Sequence, residues 1–260
     1  YPCGKCIYCR ERVRQDWVTR LSLESRISRK NGCSPFFVTL TYEDNHLPID
    51  GVSKVDCQNF IKRLRKNSGC LNLKYFLTSE YGSRTLRAHY HFILFNCPLS
   101  LSEVRKQIEK SWNLGFVMVT KVNENRIKYV TKYALKNDEL IKSKAKVFRL
   151  MSKKLGLNWL TDSRLRYYRE HGDLYLRLGG RKVLLPRYFS RKIVGDNMIL
   201  KLKRLQSFVD NHFAFLDDYF TYIKKCDVGA FINGLPSYYV RVEKSDVNRY
   251  NSYHSKDKLR

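Results

Sequence analysis

The apolar positions of this chain repeat with two periods, one typical of strands and one typical of helices. Four short runs rich in aromatic and β-branched residues predict strands at residues 36–42, 73–81, 87–95 and 116–122. Four longer stretches have the spacing of amphipathic helices, at residues 9–30, 53–67, 100–112 and 126–136. The order β-α-β-β-α-β-α after a first helix predicts an α+β fold, in which helices back an antiparallel sheet of ferredoxin-like or RRM-like type.

Cap and turn residues set the ends of these elements. Ser53 is a predicted N-cap for the second helix. The apolar stripe predicted for that helix consists of Val55, Phe60, Ile61 and Leu64. A turn near Gly82 joins the second and third strands, so we expect these two strands to pair as an antiparallel hairpin.

The second half of the chain has a weaker pattern. It predicts a basic helix over residues 142–154, a hairpin around Gly179 and Gly180, and an aromatic-rich helix over residues 197–225. The predicted domains are a cysteine-containing helical segment at 1–35, a core that carries the sheet at 36–140, and a basic C-terminal extension at 141–260.

The charge of the chain indicates a polyanionic partner. Fifty Lys and Arg residues outnumber 24 Asp and Glu residues, which gives a formal net charge of +26. Such a field attracts phosphate-rich polymers, and the 18 tyrosines and 14 phenylalanines could stack bases. The alternative is a basic protein whose charge is only a solvated surface. No uncharged apolar run approaches the ~18 residues of a membrane span, and no signal peptide is recognisable.

Two histidines and a glutamate form a candidate metal site. His89 and His91 are one residue apart in a predicted strand, so both side chains point to the same face. Pairing across the predicted hairpin brings Glu80 close to His89. Two imidazoles and one carboxylate leave coordination positions open, which suits Mn²⁺ or Mg²⁺ during phosphate chemistry and also suits non-haem Fe(II). Each of these residues alone is more often an ordinary surface side chain.

Two tyrosines and two lysines share one face of the last predicted helix. At ~100° per residue, Tyr129, Lys132, Tyr133 and Lys136 lie within an arc of roughly 100°. Because neighbouring cations stabilise a phenolate, this face could react with phosphate. The alternative is that both tyrosines are packing residues of an amphipathic helix.

A cysteine cluster at the start of the chain is a candidate site for structural zinc. Cys3, Cys6 and Cys9 are three residues apart, and Cys33 could be a fourth ligand. No second paired block of ligands occurs, so unliganded thiols are the alternative. In a basic chain of this kind we expect the eight cysteines to be reduced, as in a cytosol.

Taken in order, these motifs resemble a known superfamily. Thr39-Leu40-Thr41-Tyr42, His89-Tyr90-His91 and the helix of Tyr129 and Tyr133 resemble motifs I, II and III of the HUH endonucleases, in the two-tyrosine branch that initiates rolling-circle replication. Other runs resemble the replication initiators of Microviridae phages, particularly the gokushovirus type. These runs are Cys3-Gly4-Lys5-Cys6 with Cys9, Arg10 and Trp17, Met151-Ser152-Lys153-Lys154, and Leu185-Pro186-Arg187-Tyr188. The resemblance spans most of residues 1–195 and departs from the family pattern before Gly156, where a proline is expected.

The resemblance implies an activity and its partners. A tyrosine would attack single-stranded origin DNA with the help of a divalent metal, leaving a 5′-phosphotyrosine link and a free 3′-hydroxyl, and a later rejoining step would end replication. Independently of the resemblance, the basic and aromatic residues of 141–260 could either clamp DNA near the origin or cap the sheet. The expected DNA contacts are Thr39, Thr41, Tyr42 and Arg87. A host helicase and polymerase in the bacterial cytoplasm are the expected protein partners, since the sequence contains no P-loop motif.

Three alternatives remain open. An RRM-like nucleic-acid-binding protein would explain the charge and the aromatic residues, but it needs neither the metal ligands nor the paired tyrosines. A non-haem iron oxygenase would explain the ligands, but not the charge. A plasmid initiator or a two-tyrosine transposase would share the chemistry, since only the flanking motifs favour a phage.

Overall fold

The computed structural model describes residues 7–82, 85–133, 144–173, 175–195, 197 and 200. The chain divides into two compact units, Tyr1–Asp196 and Asn197–Arg260, and every helix and strand named here belongs to the first. The helices are α1 Ile7–Lys30, α2 Lys54–Ser68, α3 Leu101–Ser111, α4 Glu124–Tyr133, α5 Asp162–His171 and α6 Arg187–Val194. The strands are β1 Phe36–Thr41, β2 Lys74–Tyr81, β3 Ala88–Phe95, β4 Val117–Lys121, β5 Arg149–Met151, β6 Tyr175–Leu178 and β7 Arg181–Leu184.

Five strands form one antiparallel sheet in the order β4-β1-β3-β2-β5. The predicted hairpin of β2 and β3 is present, with Glu80 directly opposite His89. On the other side of β3, Thr39 of β1 lies opposite His91. The predicted fold class, α+β with an antiparallel sheet backed by helices, is therefore confirmed.

Helices cover both faces of this sheet because side chains alternate along each strand. On one face, Phe36, Tyr90 and Phe92 belong to a buried cluster that also contains residues of α2 and α3. On the other face, the buried cluster includes Phe37, Phe76, Ile93, Val18 and Leu21 of α1, and Ile127 and Val130 of α4. The face under α4 is the one that carries the candidate site.

The α2 helix confirms its predicted cap and corrects its predicted stripe. The Ser53 side chain accepts a hydrogen bond from the Asp56 backbone N–H. Val55, predicted to be buried, is 61% exposed, whereas Cys57 is fully buried. At ~100° per residue, Val55 lies nearly opposite the stripe to which Cys57 belongs.

The basic helix predicted over residues 142–154 is wrong for the part of this range that the structure describes. Residues 149–151 form the edge strand β5, which pairs with β2. The Ser79 N–H donates to the Phe148 carbonyl at 2.9 Å, and the Ser152 N–H donates to the Tyr75 carbonyl at 2.9 Å. Pairing with β2 thus satisfies backbone groups that a local helical pattern takes no account of, and positive charge is common on edge strands.

The remaining predictions for the second half have mixed outcomes. The predicted hairpin around Gly179 and Gly180 is confirmed as β6 and β7, whereas α5 and α6 were not predicted. Apart from residues 197 and 200, the helix predicted over 197–225 lies outside the described residues, as does the domain boundary at 140/141, so the three-part domain division stays a prediction. Among the described helices, none combines the length and the apolar character that a membrane-spanning helix needs.

Candidate active site

The predicted metal ligands lie in two rows across the sheet face that α4 packs against. Register places Thr39, His91 and Thr78 side by side in the first row. Thr41, His89 and Glu80 form the second row. Because directly paired residues point to the same face, Glu80, His89 and His91 share one side of the sheet, as their spacing predicts.

His91 is held at both ring nitrogens. Its Nε2 lies 3.1 Å from Glu80 Oε2, and its Nδ1 lies 3.1 Å from the Thr39 hydroxyl. A carboxylate can only accept, so Nε2–H donates to Glu80, and Nδ1 of a neutral ring accepts from Thr39. The side chain is almost fully buried, with 6% of the residue exposed. The ring is therefore fixed in one orientation.

His89 is oriented by the start of its own strand. Its Nδ1 donates to the Arg87 carbonyl at 2.8 Å, which leaves Nε2 as the accepting nitrogen of a neutral ring. A Cβ added at Gly82 would lie 3.1 Å from His89 Cε1. A side chain at position 82 would therefore push against the imidazole.

The residue types on this face are ones that bind divalent cations. Glu80 and His91 are in direct contact, and His89 presents an accepting nitrogen from the neighbouring row. The Thr78 hydroxyl beside them is buried with no hydrogen-bond partner among the described residues, as expected where a bound group completes a site. Within the described ranges, no three His, Cys, Asp or Glu side chains are grouped closely enough to hold a metal. The three-ligand site stays a prediction.

The α4 helix places Tyr129 next to His91. Ile127 and Val130 are buried against the sheet, which leaves Tyr129 at the rim, 41% exposed. The centre of the Tyr129 ring lies 5.2 Å from that of His91 and 6.1 Å from that of Phe37, both edge to face. A phenol thus lies beside the imidazole that contacts Glu80.

The other groups predicted on this helix lie at or beyond its last described turn. Tyr133 is the last residue of α4, but its side chain is outside the described part of the chain. Lys132 is partly buried in the last turn, and Lys136 is not described. The catalytic roles predicted for these residues stay predictions.

The predicted DNA contacts differ in where they lie. Thr39 and Thr41 are half-buried on the candidate face. Arg87 forms an ion pair with Asp44 and donates to the Tyr42 carbonyl at 2.8 Å. Its guanidinium group therefore already has two partners within the protein, the Asp44 carboxylate and the Tyr42 carbonyl.

Tyr42 is buried on the face of the sheet opposite the candidate site, where it cannot contact DNA. It is 1% exposed, in the cluster on the opposite face of the sheet. Its hydroxyl donates to Asp56 at 2.7 Å and lies 3.0 Å from the Tyr90 hydroxyl, and burial raises the pKa of Tyr42. Because strand side chains alternate, Tyr42 points away from Thr41, which corrects the predicted role.

The candidate zinc ligands are only partly described. Cys9 and Cys33 are partly buried, without a disulfide, whereas Cys3 and Cys6 lie outside the described residues. Structural zinc stays a prediction.

Sequence reasoning missed the polar residues at the start of α4. The helix begins at Glu124, two residues before its predicted start, and the Asn123 side chain accepts the Arg126 backbone N–H at 2.9 Å. Asn123 before an apolar periodic run is a start signal that could have been found. Arg149 was also missed. It lies opposite Thr78 in β5, and this strand falls within the range predicted to be a helix.

Two solved structures have limited similarity to this chain. A hypothetical protein, ORF119, from Sulfolobus islandicus rod-shaped virus 1 has 18% identity and a TM-score of 0.29, covering 44% of this chain and 90% of its own. The N-terminal nuclease domain of minute virus of mice non-structural protein 1 has 10% identity and a TM-score of 0.20, covering 58% of this chain and 82% of its own. Scores this low establish no shared fold.

Sequence comparisons are more informative. Residues 35–138 match the model of the replication-associated protein ORF2/G2P family. The replication-associated protein ORF2 of Spiroplasma virus 4 is 30% identical over 221 residues, which cover 74% of this chain and 67% of that relative. The replication-associated protein VP4 of Bdellovibrio phage phiMH2K is 33% identical over 155 residues, covering 52% of this chain and 48% of that relative. The chain thus spans 67% of one relative and 48% of the other, and it belongs to the replication-associated protein ORF2/G2P family.

Proposed function

We propose that this protein initiates phage DNA replication by nicking single-stranded DNA through a tyrosine. The observation that carries the proposal is the contact between Tyr129 and His91, with ring centres 5.2 Å apart, while His91 Nε2 lies 3.1 Å from Glu80. A candidate nucleophile and two of the candidate metal ligands therefore lie side by side on one face of the sheet. Membership of a replication-associated family and the net charge of +26 support DNA as the substrate.

Glu80, His89 and His91 would hold Mg²⁺ or Mn²⁺. Such a cation, when bound, withdraws charge from the non-bridging oxygens of a phosphodiester. The polypeptide itself has to orient these ligands. Thr39 does so for His91, and the Arg87 carbonyl does so for His89.

Tyr129 is the proposed nucleophile. Its phenolic oxygen forms a bond to phosphorus as the bond from phosphorus to the 3′-oxygen breaks, so the DNA 5′ end becomes linked to tyrosine and a 3′-hydroxyl is released. Lys132, and Lys136 outside the described residues, would stabilise the phenolate. The phenolic proton leaves to solvent, and the 3′-oxygen gains one.

The proposed reaction conserves the number of phosphoester bonds, so it is reversible. Tyr133, one helical turn after Tyr129, would cleave after a round of copying while the first tyrosine is still linked. The released 3′-hydroxyl would then rejoin the circle and end rolling-circle replication. A host helicase and a host polymerase in the bacterial cytoplasm would supply unwinding and synthesis, and the motifs around Cys3 and Met151 favour a gokushovirus-type initiator within the Microviridae.

A denaturing gel tests the nucleophile. With Mn²⁺ and circular single-stranded DNA from the phage genome, we expect a protein-DNA adduct that survives denaturant. Changing both Tyr129 and Tyr133 to Phe should abolish it. Tyr167→Phe is the matched control, because Tyr167 is an exposed tyrosine on α5, hydrogen-bonded to Asp173. An adduct that persists in the double variant would show that another residue attacks.

Metal dependence is tested separately. His89→Ala and His91→Ala should each abolish adduct formation while DNA binding in EDTA stays near the wild-type level. Full activity of both variants would remove these histidines from the mechanism.

A further inference from the structure

We propose that an open pocket beside Tyr129 binds one nucleobase of the single-stranded DNA; its placement next to the attacked phosphate rests on the function proposed above. The pocket has a volume of about 440 Å³, which lies in the usual range for small-ligand sites. It forms where the start of α4 meets β1 and β4. Its lining residues are Phe37, Thr39, His91, Met118, Asn123, Asn125, Arg126 and Tyr129.

The pocket lies at the right distance from the candidate metal ligands. Met118 pairs with Thr39, which pairs with His91, so these three residues lie in one row of the sheet. Two strand spacings separate Met118 from His91, about 10 Å. A nucleotide with its phosphate near His91 can therefore place a neighbouring base on Met118.

One side of this site is an exposed apolar platform. Met118 is 51% exposed on the edge strand β4, and Phe116, two residues earlier, is 69% exposed. The Phe116 carbonyl accepts the Thr41 N–H at 3.0 Å, so Phe116 extends the row that contains His89. Large apolar side chains exposed next to a candidate active site suggest a binding surface, and aromatic and thioether groups pack well against the flat face of a base.

The other side carries hydrogen-bonding groups. The Arg126 guanidinium carbon lies 5.4 Å from the centre of the Phe37 ring. Its Nε is buried and has no hydrogen-bond partner among the described residues. Asn123 uses its side-chain oxygen to cap α4, which leaves its amide N–H groups for a ligand, and Asn125 is exposed at the rim. Amide and guanidinium groups are those that bind base edges.

The combination favours a base over other ligands. The lining contains no carboxylate, and the chain has a net charge of +26, which favours an anionic partner. A phosphate alone would not need the apolar platform of Met118 and Phe116. A peptide or protein partner would show no dependence on bases, and the following experiment detects that outcome.

The experiment compares binding of two labelled oligonucleotides by fluorescence anisotropy in EDTA. One is a 20-mer of mixed sequence, and the other is a 20-mer with the same backbone in which every base is replaced by an abasic site. The dissociation constant of the abasic oligonucleotide divided by that of the mixed-sequence oligonucleotide is a ratio that reports what the bases contribute to affinity. Met118→Ala combined with Arg126→Ala should lower this ratio by about fivefold or more, the lower end of the effect of removing a stacked base contact. Phe116→Ala should lower it in the same direction.

The matched control is Arg105→Ala. Arg105 is an exposed arginine of α3, paired with Glu109, and α3 packs on the opposite face of the sheet. This change removes one positive charge without touching the pocket, so it should weaken both oligonucleotides equally and leave the ratio unchanged. Thermal unfolding of each variant checks that the fold is intact.

An unchanged ratio in the double variant would overturn the pocket, as would equal binding of both oligonucleotides by the wild type. The adduct assay separates this result from the proposed function. If the wild type forms the adduct but the ratio is unchanged in the double variant, only the base-binding pocket is refuted. A lowered ratio without any wild-type adduct would refute the nicking reaction and keep the base-binding site.

Discussion

At the scale of single residues, the candidate site depends most on His91. Both of its ring nitrogens have partners, Thr39 and Glu80, and its ring lies edge to face with Tyr129. A bound cation at Nε2 would replace the proton that now points to Glu80. Nδ1 would then carry the hydrogen, and the Thr39 hydroxyl oxygen would accept a hydrogen bond from it. A hydroxyl can serve in both states because it can donate or accept.

We therefore expect Thr39→Val to weaken Mn²⁺ binding by about 10–100-fold, the usual cost of losing a partner that orients a metal ligand. Isothermal titration calorimetry measures this affinity. Thr39→Ser keeps the hydroxyl and should bind nearly as well as the wild type. If Thr39→Val binds Mn²⁺ like the wild type, Thr39 has no part in orienting the ligand.

Sequence reasoning recovered the residues of the site that obey a simple alternation. The spacing of His89 and His91 and the pairing of Glu80 with His89 were predicted, and the register shows both. The same alternation, applied to β1, would have placed Tyr42 on the opposite face from Thr41. The contact between Glu80 and His91 runs diagonally between neighbouring strands, and side-chain geometry of this kind cannot be read from periodicity.

At the scale of elements, one buried carboxylate joins α1 to the sheet. Glu24 is fully buried, pairs with Lys74 of β2 at 2.8 Å, and accepts the Gly156 backbone N–H at 2.6 Å. Gly156 has a φ of +77°, and a Cβ there would lie 2.9 Å from the Arg20 carbonyl oxygen. This turn after β5 therefore needs glycine, and Glu24 fixes it to α1.

We predict that Glu24→Ala lowers the free energy of unfolding by about 3 kcal/mol, because it leaves Lys74 and a buried N–H without their partner. Glu24→Gln should lower it less, since the amide oxygen can still accept from Gly156. Urea unfolding followed by circular dichroism measures both values. A loss below about 1 kcal/mol for Glu24→Ala would contradict the bridging role.

The elements that sequence predicted are those with a long, regular pattern. Seven elements from β1 to α4, and α1 before them, follow the predicted order. The strand β5 was mistaken for part of a helix because it is three residues long and its pairing with β2 is a tertiary effect. Short elements such as α6 have too few residues to establish a period.

At the scale of the whole molecule, buried thiol and phenol groups that stay protonated in the folded protein affect its stability. Burial raises the pKa of Cys57 well above its usual range and that of Cys97 to about 12, and burial also raises the pKa of Tyr42. In the unfolded chain, thiols ionise near pH 8.5 and phenols near pH 10. At alkaline pH the unfolded chain therefore loses protons that the folded protein keeps.

Stability should thus be fully present below about pH 8 and fall as the pH rises toward 12. The fall is expected to approach ~1.4 kcal/mol per pH unit for each group that ionises only on unfolding. Urea unfolding at several pH values, with reductant present, measures this slope. Cys97→Ser should make the slope shallower, because it removes one such group. A constant or rising free energy of unfolding between pH 8 and pH 10.5 would contradict the raised pKa of these thiols and of this phenol in the folded protein.

The central claim is that a tyrosine of α4 attacks DNA, and mass spectrometry of the linked peptide tests it most directly. The protein is incubated with Mn²⁺ and single-stranded phage DNA, denatured, and digested with nuclease and protease, and the residue that carries the remaining nucleotide is identified. We predict the nucleotide on Tyr129 or Tyr133. A nucleotide on any other residue, or no linked peptide from protein that binds the DNA, would contradict the account.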